Sequence, residues 1–186
     1  MGLQSLTGDR HHTGLTEPVA AFFEKQGARM LGVADNSFVF QDPVDNTKVL
    51  KLSLAPQDGW RTWANWAMQV RAGAPQIGYD PRHLPVIFEH HRVGSMTVAR
   101  MEKLEAVPKF HPARAKMREN KRDPRRLAFA LKDAGEPRAV TELLLRAHTI
   151  FPDAHWDLGP TNWMKRPDGT LVLNDPISHM RQLGNP

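Results

Sequence analysis

Residues 28–54 and 84–105 are rich in β-forming side chains, and one segment at helical spacing, residues 57–71, separates them. In the first stretch two runs flank a turn-rich centre. Asp42-Pro43 and Asp45-Asn46 mark its second turn, so it reads as strand, turn, strand, turn, strand, ending in VLKLSL. In the second stretch Val93-Gly94 divides two further strands. Between the stretches Trp60, Trp63, Ala67 and Val70 recur at i, i+3, i+7 and i+10, with Trp66 widening the face. That is the core-facing stripe of a helix, which Gly73, Pro75 and Gly78 then end. The first half of the chain is therefore β-rich, with one helix inserted after its third strand.

A helix precedes this sheet, opening at Thr16, Glu17 and Pro18 and stopping at Gly27. After the sheet the composition changes. KFHPARAKMRENKRDPRR, residues 109–126, holds eight Lys or Arg against two acids, the pattern of a solvated, mobile face. Asp123-Pro124 opens a helix closed by Gly135, and Pro137 opens another with Val140, Leu143, Leu144 and Ala147 on one side. The last segment reads as loop, strand, turn at residues 166–169, and the strand TLVL. The whole is an α+β pattern in two layers or lobes. Its divisions are a flexible N-terminus (1–15), a β-rich part with one inserted helix (16–105), and a smaller part (106–186) carrying the basic segment and a terminal hairpin (155–178).

The 186 residues carry a net charge of +5, which favours an anionic partner such as a nucleotide, a nucleic acid or an acidic protein surface. Without cysteine there is neither a disulfide framework nor a thiolate metal site, and a cytoplasmic protein is expected. No apolar run reaches membrane-spanning length, so no membrane partner is expected. The G-x-S-x-G elbow, the G-x-x-x-x-G-K-[ST] loop and H-E-x-x-H are all absent.

The terminal stretch HWDLGPTNWMKRPDGTLVLNDPIS places Asp157, Asn162 and Asp175 around a hairpin. Phosphoryl transfer needs a carboxylate beside the attacking hydroxyl, hard oxygen ligands for Mg²⁺, and a cation on the nucleotide. Asp157 suits the first role and Asn162 with Asp175 the second. Lys51, inside VLKLSL, suits the third. Each also has an ordinary reading: Asp157 and Asn162 as turn caps, Asp175 as a strand end, Lys51 as an edge-strand lysine whose charge reaches water. Glu89-His90-His91 and His11-His12 read as surface or packing residues, because neighbours on a strand face opposite ways.

The spacing H-x-D-x-x-x-x-N followed by a hairpin and an aspartate resembles the catalytic and metal loops of protein-kinase-like phosphotransferases. HWDLGPTN is similar to the loop of the aminoglycoside- and choline-kinase branch and to that of small kinase-like proteins of some bacteriophages. NDPIS resembles the D-F-G position. The resemblance implies a truncated two-lobed kinase-like fold with a minimal helical C-lobe and no long activation segment. It implies ATP and Mg²⁺ as cofactors, Asp157 as the catalytic residue, and Asn162 and Asp175 as metal ligands. Lys51 would meet the nucleotide, with Gly32, Asn36 and Ser37 in the phosphate loop GVADNSFVF and Glu102 in the hinge segment MEKLE. Helix 57–71 takes the place of helix C but holds no glutamate for Lys51. Asp58 stands at its start, and Glu24 in the first helix would be an unusual substitute. Gly159 stands where related loops carry Lys or His. The implied acceptor is a protein Ser or Thr before a small molecule, in the cytoplasm of a bacteriophage's host. A second reading is a catalytically dead module that binds and inhibits a host protein, or a partner associated with nucleic acid, through residues 109–126. A third is a nucleic-acid binder using that basic segment.

Overall fold

The computed structural model describes residues 16–34, 37–54, 59–73, 80–93 and 96–180. Helix α1 (Thr16–Lys25) leads into strands β1 (Met30–Ala34), β2 (Ser37–Gln41) and β3 (Lys48–Leu54). Helix α2 (Gly59–Arg71) and a one-turn 3₁₀ segment (Pro81–His83) follow, then β4 (Ile87–Val93) and β5 (Met96–Glu102). The five strands form one antiparallel sheet in the order β1-β2-β3-β5-β4. Helix α1 ends through Gly27, whose φ of 82° is the left-handed cap that glycine supplies without strain.

Side-chain alternation divides the sheet into two faces. Phe38, Phe40 and Leu52 point to one side, where they pack with Ala28 and with Phe23 of α1. Val49, Ala99 and Met101 point to the other and join a larger core. The three tryptophans of α2 belong to that core, so the helix lies on this second face as its stripe requires.

The second half supplies the rest of the large core. Helices α3 (Ala113–Glu119), α4 (Pro124–Asp133) and α5 (Arg138–Ile150) come first. The short strands β7 (Ala154–Trp156), β8 (Trp163–Lys165), β9 (Leu171–Leu173) and β10 (Ile177–Met180) close the described chain. Strand β10 pairs with β7, and β8 pairs with both β9 and β6 (Glu105–Ala106). Asp123 caps α4 by accepting the Arg126 N–H at 3.0 Å, one position before Pro124.

The α+β pattern and the inserted helix stand as read. Helix α3 differs from the expectation for residues 109–126. Ala113 and Met117, four apart, are fully buried and anchor a seven-residue helix within the charged run. The edge-strand reading of Lys51 is also corrected, because β3 is the middle strand, hydrogen-bonded on both sides.

One ion pair fixes the terminal hairpin to the sheet. Arg166, in the turn between β8 and β9, grips Glu102 at the end of β5 with Nη2 to Oε1 at 2.6 Å and Nε to Oε2 at 2.9 Å. Its guanidinium also donates to the carbonyls of Arg82 and Leu84. Both side chains are less than one-fifth exposed. Replacing Arg166 by Ala strands a half-buried carboxylate, and we expect a loss of about 3 kcal/mol in urea unfolding. Changing both partners, Glu102→Gln with Arg166→Met, is expected to recover most of that loss.

Candidate active site

Lys51 is where the two halves meet. It shares the face of Val49 and lies between Val39 and Ala99 of the flanking strands. Its side chain is only 4% exposed, and its Nζ donates to Asp175 Oδ2 at 2.5 Å across 124 residues of sequence. A buried ammonium needs such a counter-charge. The Trp60 ring, from the first turn of α2, also faces the ammonium, with its centroid 4.8 Å from Nζ. That contact is a cation–π interaction.

The loop after β7 is tied to the strand that carries Asp175. The Asp157 N–H donates to the Pro176 carbonyl at 2.8 Å, and the Asn174 N–H donates to the Asn162 carbonyl at 2.9 Å. Within the loop, Asn162 Nδ2 donates to the Asp157 carbonyl at 2.8 Å and the Asn162 N–H to the Gly159 carbonyl at 2.9 Å. The Gly159 N–H approaches Asp157 Oδ1 at 3.4 Å. Among the described residues these bonds leave Asn162 Oδ1 and the second oxygen of each aspartate for other partners. The side chains of Asp157, Asn162 and Asp175 are all half-buried.

Hard oxygen donors of this kind suit a divalent cation. Among the described residues no three His, Asp or Glu side chains gather as a metal cluster. An ion held by Asn162 and Asp175 alone would need further oxygens, such as those of phosphates, to complete its shell.

The remaining sequence-derived residues are more scattered. Gly32 lies in β1 opposite Val39, and a Cβ there would meet nothing within 4 Å. Ser37 starts β2 opposite Ala34 and Ser53. Asn36 and Asp58 lie outside the described residues. Glu102 gives its carboxylate to Arg166 and to the Val86 N–H at 2.7 Å. Glu24 is exposed on α1, on the far side of the sheet from Lys51. His155 stacks on His179 at 3.8 Å between centroids and braces the ribbon of β7 and β10. His90 bonds Asn65, and His91 meets Glu89.

A separate open concavity of about 660 Å³ lies at the turn between β2 and β3, lined by Gly27, Gln41, Asp42, Val44 and Arg100 among others. Its buried carboxylate is already spent. Asp42 accepts from Arg100 Nε at 2.5 Å and from the N–H groups of Val44 and Asp45. Burial alone would push its pKa up, but those bonds hold it below the ordinary carboxylate value.

Two residues of α2 escaped the sequence reading as site residues. Trp60 was legible only as the first member of a core stripe. Gly59 gave no signal, yet a Cβ on it would come within 2.9 Å of Ser178 C and His179 N, so glycine lets α2 press against the backbone of β10. This close approach seats Trp60 over Lys51. The chain matches no protein-family model and no curated protein.

The Lys51–Asp175 pair is unequal in burial, 4% against 28% exposed, and this sets an order of cost. Asp175→Ala leaves an ammonium buried without an anion and is expected to cost about 3 kcal/mol. Lys51→Met leaves a carboxylate that water can reach, and under about 1 kcal/mol is expected. Urea unfolding of the two variants at neutral pH tests the order. Equal losses would mean that the ammonium is not confined.

Proposed function

We propose that the chain is a compact kinase-like phosphotransferase that moves the γ-phosphate of ATP to a hydroxyl acceptor, a protein Ser or Thr before a small molecule. The observation that carries this reading is the meeting of Lys51 and Asp175 at 2.5 Å, with the Asp157–Asn162 loop bonded to the same turn. A cation, two oxygen donors and a free carboxylate are the groups that phosphoryl transfer requires. In this reading the sheet with α2 is the N-lobe, and α3–α5 with the terminal hairpin form a minimal C-lobe.

Lys51 contacts the nucleotide phosphates. Asn162 and Asp175 hold Mg²⁺, which neutralises phosphate charge. Asp157 orients the acceptor hydroxyl. It takes the proton as the acceptor oxygen bonds the γ-phosphorus and the bond to the β-phosphate oxygen breaks, releasing ADP. Trp60 supplies on the α2 side of Lys51 the electron-rich surface that a helix-C glutamate would otherwise supply. The likeness of HWDLGPTN to loops of bacteriophage proteins supports a role directed at a host cell.

A second reading, a silent module that binds a partner without catalysis, is favoured by the confinement of Lys51 between Asp175 and Trp60. Nucleotide must open that contact.

Thermal unfolding with and without ATP and Mg²⁺ separates the two readings. Ligand at 100 times its dissociation constant is expected to add about 2.7 kcal/mol to the wild type. Each variant is compared with itself. The gain is expected to vanish in Asp175→Ala and to persist in Asp157→Ala, while transfer to an acceptor falls by about a thousandfold or more in both. A wild type that ignores ATP and Mg²⁺ would refute phosphotransfer and leave the binding module.

A further inference from the structure

We infer that the acceptor is a polypeptide with acidic residues flanking its hydroxyl, docked on the basic ledge of residues 109–126 beside Asp157. This rests on the phosphotransfer reading above.

The chain's charge surplus sits almost wholly in this ledge. Eight Lys or Arg stand against Glu119 and Asp123 within it, while the whole chain carries +5, so the remainder is close to neutral. The segment is an ordered surface. Ala113 and Met117 bury one side of α3, and Pro124 with Leu127 bury the start of α4. The cations are left outward: Lys109, Arg118, Lys121, Arg122, Arg125 and Arg126 are all exposed. Among the described residues only Arg126 of these six meets a carboxylate, that of Asp123 at 3.3 Å.

The ledge also abuts the candidate catalytic loop. The Leu158 N–H, one residue past Asp157, donates to the Lys121 carbonyl at 2.6 Å. The turn between α3 and α4 is thereby fixed against the loop that holds the acceptor hydroxyl. This contact puts Lys121 and Arg122 next to the candidate catalytic loop, so acids close in sequence to the acceptor hydroxyl are the ones they would meet.

A polypeptide fits this surface better than a single-stranded nucleic acid. The rings beside this surface, Phe110 and Phe129, are exposed at its two ends, and none is interleaved among the cations from Arg114 to Arg126. Single-strand binders interleave such rings with their basic groups. Carboxylates need only cations, and arginine forks receive them in pairs. Single exposed pairs contribute little, so the preference comes from several acting together and weakens with salt.

The test is phosphate transfer from ATP by the full chain to peptides sharing one central Ser, flanked by Asp and Glu, by Ala, or by Lys. The acidic peptide is expected to show a KM lower than the Ala peptide by about tenfold or more, narrowing as salt rises. Lys121→Glu with Arg122→Glu keeps the carbonyl that braces Leu158. This variant is expected to erase the preference while kcat on the Ala peptide and the ATP–Mg²⁺ stabilisation stay unchanged. Equal KM values for the three peptides would overturn the inference and leave phosphotransfer standing. So would displacement of the acidic peptide by single-stranded RNA more strongly than by a peptide of equal charge. If ATP and Mg²⁺ give no stabilisation, phosphotransfer fails, and fluorescence anisotropy of the labelled acidic peptide decides the ledge alone. Binding that the double variant loses upholds it, and absence of binding overturns it.

Discussion

An ammonium group inside a β-sheet must be answered by an anion, and Lys51 sets that requirement at the centre of this molecule. The answering carboxylate, Asp175, comes from the far end of the described chain. Sheet and terminal hairpin therefore have one permitted relation. The Glu102–Arg166 grip holds the same two bodies together at a second point, with its hydrogen bonds running on into the 80–84 segment. Two such anchors prevent the hairpin from pivoting, which keeps Asp157 and Asn162 at a set place relative to the lysine.

Helix α2 fills the space between these anchors. Trp63 donates its indole N–H to the Leu173 carbonyl at 3.2 Å and packs with Trp66 and Phe151. One helix thus touches the sheet, the terminal strands and the end of α5. Large aromatic side chains suit this task because each spans several neighbours while losing few rotamers on burial. The same helix brings Trp60 to the lysine, so the element that builds the core also shapes the candidate site.

The parts legible in sequence were those with a period or a fixed spacing. The stripe of α2, the strand–turn pattern of residues 28–54 and the proline-marked starts of α4 and α5 all announced themselves locally. The five-residue interval from Asp157 to Asn162 did so as well. The rest depended on distant partners. Lys51 follows an ordinary alternation with Val49, and only the pairing of β3 with β5 makes its strand central. Glu102 stood in the hinge segment of the resemblance, yet its carboxylate goes to a turn arginine 64 residues away. Strands β6 and β7, of two and three residues, are too short to show any alternation. Gly59 matters because of what presses on it, which no local pattern records.

The long sequence interval between the lysine and its carboxylate has a consequence for synthesis. The 124-residue step from one to the other takes roughly 6 to 25 s to translate at ordinary ribosomal speeds. Throughout that interval the nascent sheet has its central cation without its mate. Sealing the sheet's inner face early would confine a bare charge, so burial of that face is costly until Asp175 can answer it. The lysine thus favours late burial of that face, once residue 175 has been made.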